Sequence, residues 1–267
     1  PFFNYYLKGK GDNPNLAEAT VFITGENKWK QFEQWPPKES SPRDIYLAPN
    51  GALSWNLPTY VKAGSFSEYV SDPAHPVPYT EDVHFRRTRE YMTDDQRFAG
   101  RRTDVLSFET DPLTEDLTLA GVISAKLKVS ISGTDADFVV KLIDVFPDNF
   151  QYQTPASANS YPMGGYQMLV RGEIMRGKFR NSFEHPEAFK PGKVEAVNFN
   201  LPDIAHTFKK GRRLMVQIQS SWFPIADRNP QQFMNIYEAK SSDFKKATIK
   251  IYHDANNASS ISLPILK

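Results

Sequence analysis

Residues 117–146 read LTLAGVISAKLKVSISGTDADFVVKLIDVF. Every odd position from Leu117 to Ile131 is apolar or small, and along the second half the even positions turn polar, at Ser124, Lys126, Lys128 and Ser130. A period of two sustained over this length places one face of a long strand in a core. Ser132-Gly133-Thr134-Asp135 supplies turn chemistry, since Gly tolerates positive φ and Ser and Asp bond back to nearby backbone. Phe138 to Phe146 then runs apolar on both faces for most of its length, and a strand of that kind belongs at the centre of a sheet. Two such runs joined by a short polar turn suggest a β-hairpin, with a longer cross-sheet connection as the alternative.

The remaining segments look like more strands of the same kind. Ala19 to Thr24, Val105 to Thr110, Tyr166 to Ile174, Val194 to Leu201 (closed by Pro202), Leu214 to Ser220 and Lys246 to Tyr252 are short β-rich or alternating runs, and Asn50-Gly51 between Ile45–Leu47 and Leu53–Trp55 is a hairpin signal. Ser65 to Asp95 is rich in proline and mixed charge and reads as a long extended loop, of the sort that is functional or packed on another surface. Gln151 to Met163 is a polar loop, and Phe2 to Leu7 ahead of Gly9 reads as the end of a helix. Roughly eight substantial strands with no comparable helical pattern make an all-β fold, a two-sheet jelly-roll β-sandwich.

The 267 residues carry 32 basic against 31 acidic side chains. This balance argues against a nucleic-acid groove and against an anionic-membrane surface, both of which need a basic excess. No run approaches the ~20 apolar residues of a membrane span. There is no cysteine, which removes disulfides, thiolate metal sites and cysteine nucleophiles and is compatible with cytoplasm, periplasm or secretion. The chain opens at Pro1 without an initiator Met, and is expected to be a piece of a longer protein.

A serine-hydrolase elbow needs Ser between two glycines four apart, and none of the 14 glycines has that spacing. Asp135 and Asp137 could offer carboxylates to Ca²⁺, but a turn with solvated acids is the favoured reading, and no metal site is expected. Asp144 interrupts an apolar face of the central strand. A buried carboxylate needs a partner, so Asp144 is a structural ion-pair candidate, with an arginine from Arg86–Arg102 as the expected partner. His206 reads as a structural histidine bonded to a loop carbonyl. Trp29, Trp35, Trp55 and Trp222 invite a sugar-platform reading, against which stands their more usual use in cores and interfaces.

Several segments together resemble one family. They are Phe3 to Gly9 (FNYYLKG), Tyr69 to Pro73 with Pro76-Val77-Pro78, Asp95 to Phe98 with Arg102 to Leu106, Asp137 to Pro147, His206 to Phe208 with Gly211 to Arg213, and Ser220 to Pro224 leading to Asp227–Pro230. The series is similar to the C-terminal part of the hydrolases grouped with cocaine esterase, X-Pro dipeptidyl-peptidases, α-amino-acid ester hydrolases and cephalosporin acylases. The resemblance implies an α/β-hydrolase domain, a helical cap and a galactose-binding-like jelly roll. Residues 1–18 would be the end of the first and 19–267 the last. It implies no cofactor, and a catalytic triad outside this chain, so that no residue here is catalytic. The partners it implies are the α/β-hydrolase and cap domains of the same protein, with a homo-oligomer as a further expectation. Ser71–Pro78 and Asp94–Arg102 are expected on the face that meets the hydrolase domain, with Asp72, His75, Asp95, Arg97 and Arg102 as interdomain candidates. A carbohydrate-binding jelly roll is the rival; it needs two or three exposed aromatics on one sheet face or loop rim, and loses its main support if Trp29, Trp55 and Trp222 are buried. A third reading is an assembly domain with no ligand.

Overall fold

The computed structural model describes residues 2–59, 62–86, 88–152 and 162–267. Most of the polar Gln151–Met163 loop, and Arg87, lie outside the described residues. The chain opens with α1 (Phe2–Lys8), which buries none of its residues and ends at Gly9 in the left-handed region. There follow β1 (Ala19–Ile23), β2 (Lys28–Phe32), β3 (Ser40–Ala48), β4 (Ala52–Ser54), β5 (Phe66–Ser71), the single turn α2 (Arg97–Gly100), β6 (Leu106–Glu109), β7 (Leu117–Ile131), β8 (Asp137–Val145), β9 (Gln167–Arg176), β10 (Glu195–Phe208), β11 (Arg213–Gln219), β12 (Ala247–Asp254), β13 (Asn257–Ala258) and β14 (Ser260–Leu266). Among the described residues no helix is long and apolar enough to cross a membrane.

The strands form a two-layer sandwich. In one layer β7 is flanked by β10 on one side and by β14 and β12 on the other, with β3 outside β14 and β5 outside β12. The other layer runs β6-β11-β8-β9. β4 joins the layers, pairing antiparallel with β3 and parallel with β6. The odd positions of β7 from Leu119 meet Phe138, Val140 and Leu142 of β8 and Leu214, Val216 and Ile218 of β11 in one continuous core. The Asn50-Gly51 hairpin forms as expected, between β3 and β4.

The expected β7–β8 hairpin is not present; the cross-sheet alternative is the one realised. Both edges of each strand are taken by other strands, so no ladder is left for them to share. The turn's backbone bonds outward instead: Ser132 N donates to Thr248 O at 3.0 Å and Thr134 N to Gln231 O at 3.2 Å. Gly133 permits this approach, because a Cβ there would lie 2.4 Å from Gln231 O. Asp135 and Asp137, read as solvated turn acids, are buried. Asp135 accepts from the amides of Ala136 and Lys178 and from Asn229 Nδ2. Asp137 accepts from Asn229 and, at 3.1 and 3.2 Å, from Arg176.

Prolines lie within two of the strands. β10 continues past Pro202 through an irregularity between Leu201 and Ile204. β14 carries Pro264 yet lies between β7 and β3, its register with β7 shifting between Ser262 and Ile265. β7 accommodates this at Gly121, whose φ is +127° and whose absent Cβ would lie 2.9 Å from Pro36 Cβ and 3.4 Å from Pro264 Cβ. Proline removes a ladder donor and is tolerated inside a sheet at such bulges.

Asp144 lies at the inner end of β8, fully buried. Among the described residues its partner is Arg212, at 2.5 Å, and not an arginine from Arg86–Arg102. The register explains the substitution: Leu214 pairs with Asp144 and Arg213 with Val145, so Arg212 arrives at Asp144's end of the sheet. His206 Nε2 donates to the same carboxylate at 3.1 Å, and its Nδ1 lies 2.8 Å from the Thr24 hydroxyl. His206 therefore bonds a carboxylate and a hydroxyl rather than a loop carbonyl. The connectivity is that of a hydrolytic triad, but Arg212 shares the carboxylate, and Thr24 is held within strand pairing through its amide to Ala205 O and its carbonyl to Thr207 N. The chain of contacts welds the β1–β2 hairpin to the sandwich. Removing one partner of a buried pair strands the other charge, so Asp144→Ala is expected to cost about 3–5 kcal/mol in urea unfolding. A loss below about 1 kcal/mol contradicts the role.

Candidate functional site

β8 is buried on both faces because each face has its own cover. Phe138, Val140 and Leu142 point into the sandwich. Val139, Lys141, Ile143 and Val145 point outward, yet none is more than 2% exposed. The register lays out three outward rows across β11, β8 and β9: Met215–Ile143–Leu169, Gln217–Lys141–Gly172 and Gln219–Val139–Ile174. The cover is the stretch after β5, residues 72–105. The proline-rich region read as one loop from Ser65 thus begins as a strand, β5, paired with β12. Its remainder brings Tyr79 and Tyr91 onto the Val139 row beside Trp222, and gathers Val77, Phe98, Ala99 and Val105 into a cluster of their own.

The first limb of this cover runs beside residues 221–223. Val77 N donates to Ser221 Oγ at 2.8 Å, Phe223 N to Val77 O at 3.0 Å and Tyr79 N to Phe223 O at 2.9 Å. Asp72 turns the limb by accepting from Ala74 N at 3.0 Å, and its carboxylate meets His75 Nδ1 at 3.1 Å and Lys246 Nζ at 3.0 Å. These partners hold its carboxyl well below the usual carboxylate range. The second limb pairs with the start of β9: Gln96 N donates to Gln167 O at 2.9 Å, and Gln167 N to Asp95 Oδ1 at 3.2 Å. Arg97 Nε donates back to Asp95 at 2.6 Å. Arg102 ties the limbs together, donating to Asp104 at 2.8 Å through two nitrogens and to His75 O at 2.9 Å. The structure thus brings Asp72, His75 and Arg102 together and sets Asp95 with Arg97 as a second pair on the β9 side.

Lys141 and Trp222 are the centre of the site; Lys141 was not singled out from the sequence, and Trp222, weighed there as a sugar platform or a core ring, is a buried ring. Lys141 Nζ donates to Gln96 Oε1 at 2.9 Å, 5.1 Å from the Trp222 ring centroid and 5.8 Å from that of Phe98. Burial pushes its amine down to about 7. Gln96 is fixed in turn, donating to Asp94 O at 2.9 Å and accepting from Gln217 at 3.3 Å. Trp222 lies over Gly172, where a Cβ would come within 2.9 Å of the indole. The available signal was a lysine inside an otherwise apolar run that reads as buried on both faces.

Beyond the covered rows the face is apolar and open. Val83 and Phe85 at the tip of the cover are fully exposed, and Met92, Phe223 and Ile225 are also exposed. Tyr91, Met92, Leu169, Gly172, Trp222 and Ile225 line a concavity of about 320 Å³. The tryptophans do not share a platform: Trp29 is 69% exposed, Trp222 only 7%, and Trp55 is half-buried beneath Arg43.

Comparison with known proteins agrees with this architecture. Cocaine esterase of Rhodococcus sp. (strain MB1 Bresler) is 29% identical over 273 residues, covering 100% of this chain and 45% of its own length. An aminopeptidase from a marine sediment Thaumarchaeota archaeon superposes with a TM-score of 0.91 at 39% identity, over 100% of this chain and 43% of that one. An α-amino acid ester hydrolase also gives 0.91, at 41% identity, over 99% and 44%. A CocE/NonD family hydrolase from Staphylococcus aureus, 17% identical with a TM-score of 0.66, shares the fold. The chain spans less than half the length of these relatives. Residues 13–262 match the family described as the X-Pro dipeptidyl-peptidase C-terminal non-catalytic domain, and the chain belongs to that family.

Proposed function

We propose that this domain serves a serine ester or amide hydrolase by bracing its α/β-hydrolase domain and helping to wall the substrate cleft. The face presented is the one built by residues 72–105 and 221–225, with residues 1–18 belonging to the end of the hydrolase domain. The observation that carries the reading is the cover itself. A long loop is tied down at both limbs, sealed onto the sheet by aromatic rings, and still offers Val83 and Phe85 fully to solvent at its tip. Exposed apolar side chains grouped beside a concavity mark interaction surfaces. α1, which buries none of its residues, fits an element that packs on the same partner.

The partner's chemistry is the one the family resemblance implies, an acyl-enzyme on a histidine-activated serine with backbone amides holding the oxyanion. The carbohydrate-binding reading keeps one exposed tryptophan, Trp29, while Trp222 is buried and Trp55 half-buried beneath an arginine.

Two experiments test the proposal. Replacing the corresponding domain of the α-amino acid ester hydrolase relative with this chain is expected to give an active, monophasically melting fusion. Val83→Asp with Phe85→Asp is then expected to lower its melting temperature and activity together. A fusion indifferent to both changes places the docking face elsewhere. The 267-residue chain by itself is expected to leave p-nitrophenyl acetate at the background rate; turnover abolished by a serine-directed phosphonate contradicts the non-catalytic reading.

A further inference from the structure

The amine of Lys141 is an unusual object to bury. Once protonated it has three protons to donate and one acceptor, Gln96 Oε1, and no carboxylate among the described residues forms an ion pair with it; burial is the sole cause of its lowered basicity. Its lid is thin. Gln96 and Phe98 belong to the segment that closes over the sheet, and Trp222 supplies the other wall. Lifting that segment exposes the amine to water without disturbing the sandwich core, which lies on the opposite face of β8.

We propose that Lys141 makes the seating of residues 94–102 proton-sensitive: the segment closes on the uncharged amine and lifts when the amine takes up a proton. The latch stands on the packing of the loop alone. Its consequence, that protons modulate docking, rests on the proposed function above.

The groups facing Lys141 on each neighbouring element leave it to act alone. From β11 come Met215, Gln217 and Gln219, all uncharged. From β9 comes Gly172, while its neighbours Arg171 and Glu173 bond Asp203 O and the Ile174 amide. From the cover come the Asp95–Arg97 pair, Asp94, whose carboxyl burial pushes up, and the phenols of Tyr79 and Tyr91. The sign follows from linkage. An amine at about 7 when covered and at its ordinary 10.5 when open is more protonated in the open form throughout that interval. Closure therefore strengthens as pH rises from about 7 to about 10.5 and is level below it.

The chain has no cysteine, so Ala99→Cys introduces a single thiol at a position 0% exposed. Its reaction rate with a thiol reagent, divided by that of a cysteine peptide at the same pH, reports opening of the segment. Opening is expected to rise about 50-fold from pH 9 to pH 7 and to level off below. With Lys141→Met added, every other titrating group remains and the profile is expected to be flat. A flat profile in the parent, or an unchanged slope with Lys141→Met, overturns the proposal. A ¹³C-lysine titration of the unmutated chain gives a decision independent of any variant's folding: a Lys141 midpoint near neutrality supports the latch, and one near 10 refutes it. If the latch operates and the Val83/Phe85 fusion shows no docking effect, the docking reading fails and the latch stands.

Discussion

Everything distinctive in this domain follows from one constraint, a strand buried on both faces. β8 turns Phe138, Val140 and Leu142 into the sandwich and Val139, Lys141, Ile143 and Val145 outward, and all of them are shielded from water. A sandwich covers one face of each sheet. The second face of β8 needs another cover, which the chain supplies with 72–105. The loop is long because it must cross three strands, and it is pinned at both limbs because a cover that drifts would expose an apolar surface.

Much of the frame was legible from residues. The period of two in β7, the doubly apolar run of β8 and the Asn50-Gly51 turn led directly to an all-β sandwich and to the position of β8 within its sheet. What misled was local chemistry with two uses. Ser132–Asp135 has the composition of a hairpin turn, but the same small residues serve a crossover, and the choice depends on which strands take the remaining edges. Pro202 read as the end of a strand because the compensating irregularity, at Leu201–Ile204, is a tertiary feature.

The site was less legible. Asp144 stood out as a charge in an apolar run, but its partner came from Arg212 because the register of β11 delivers it there, and register is not written in either strand alone. The described residues 91–102 could not serve, since they pack on the outer face while Asp144 belongs to the inner one. Lys141 drew no notice because lysine is so often exposed; its depth depends on a loop more than forty residues earlier. The motifs that carried the family resemblance, Tyr69–Pro78, Asp95–Leu106 and Ser220–Pro224, converge on this cover, so the resemblance marked the site without showing its geometry.

The cover over β8 is the surface proposed to meet a catalytic domain. Hydrogen exchange on the chain alone and on the chain fused to a relative's catalytic domain measures this directly. Added protection is expected at residues 80–92 and 221–225, with the β1–β2 hairpin and β12 unchanged. Added protection confined to β1, β2 or β12, with the cover exchanging as before, would contradict it.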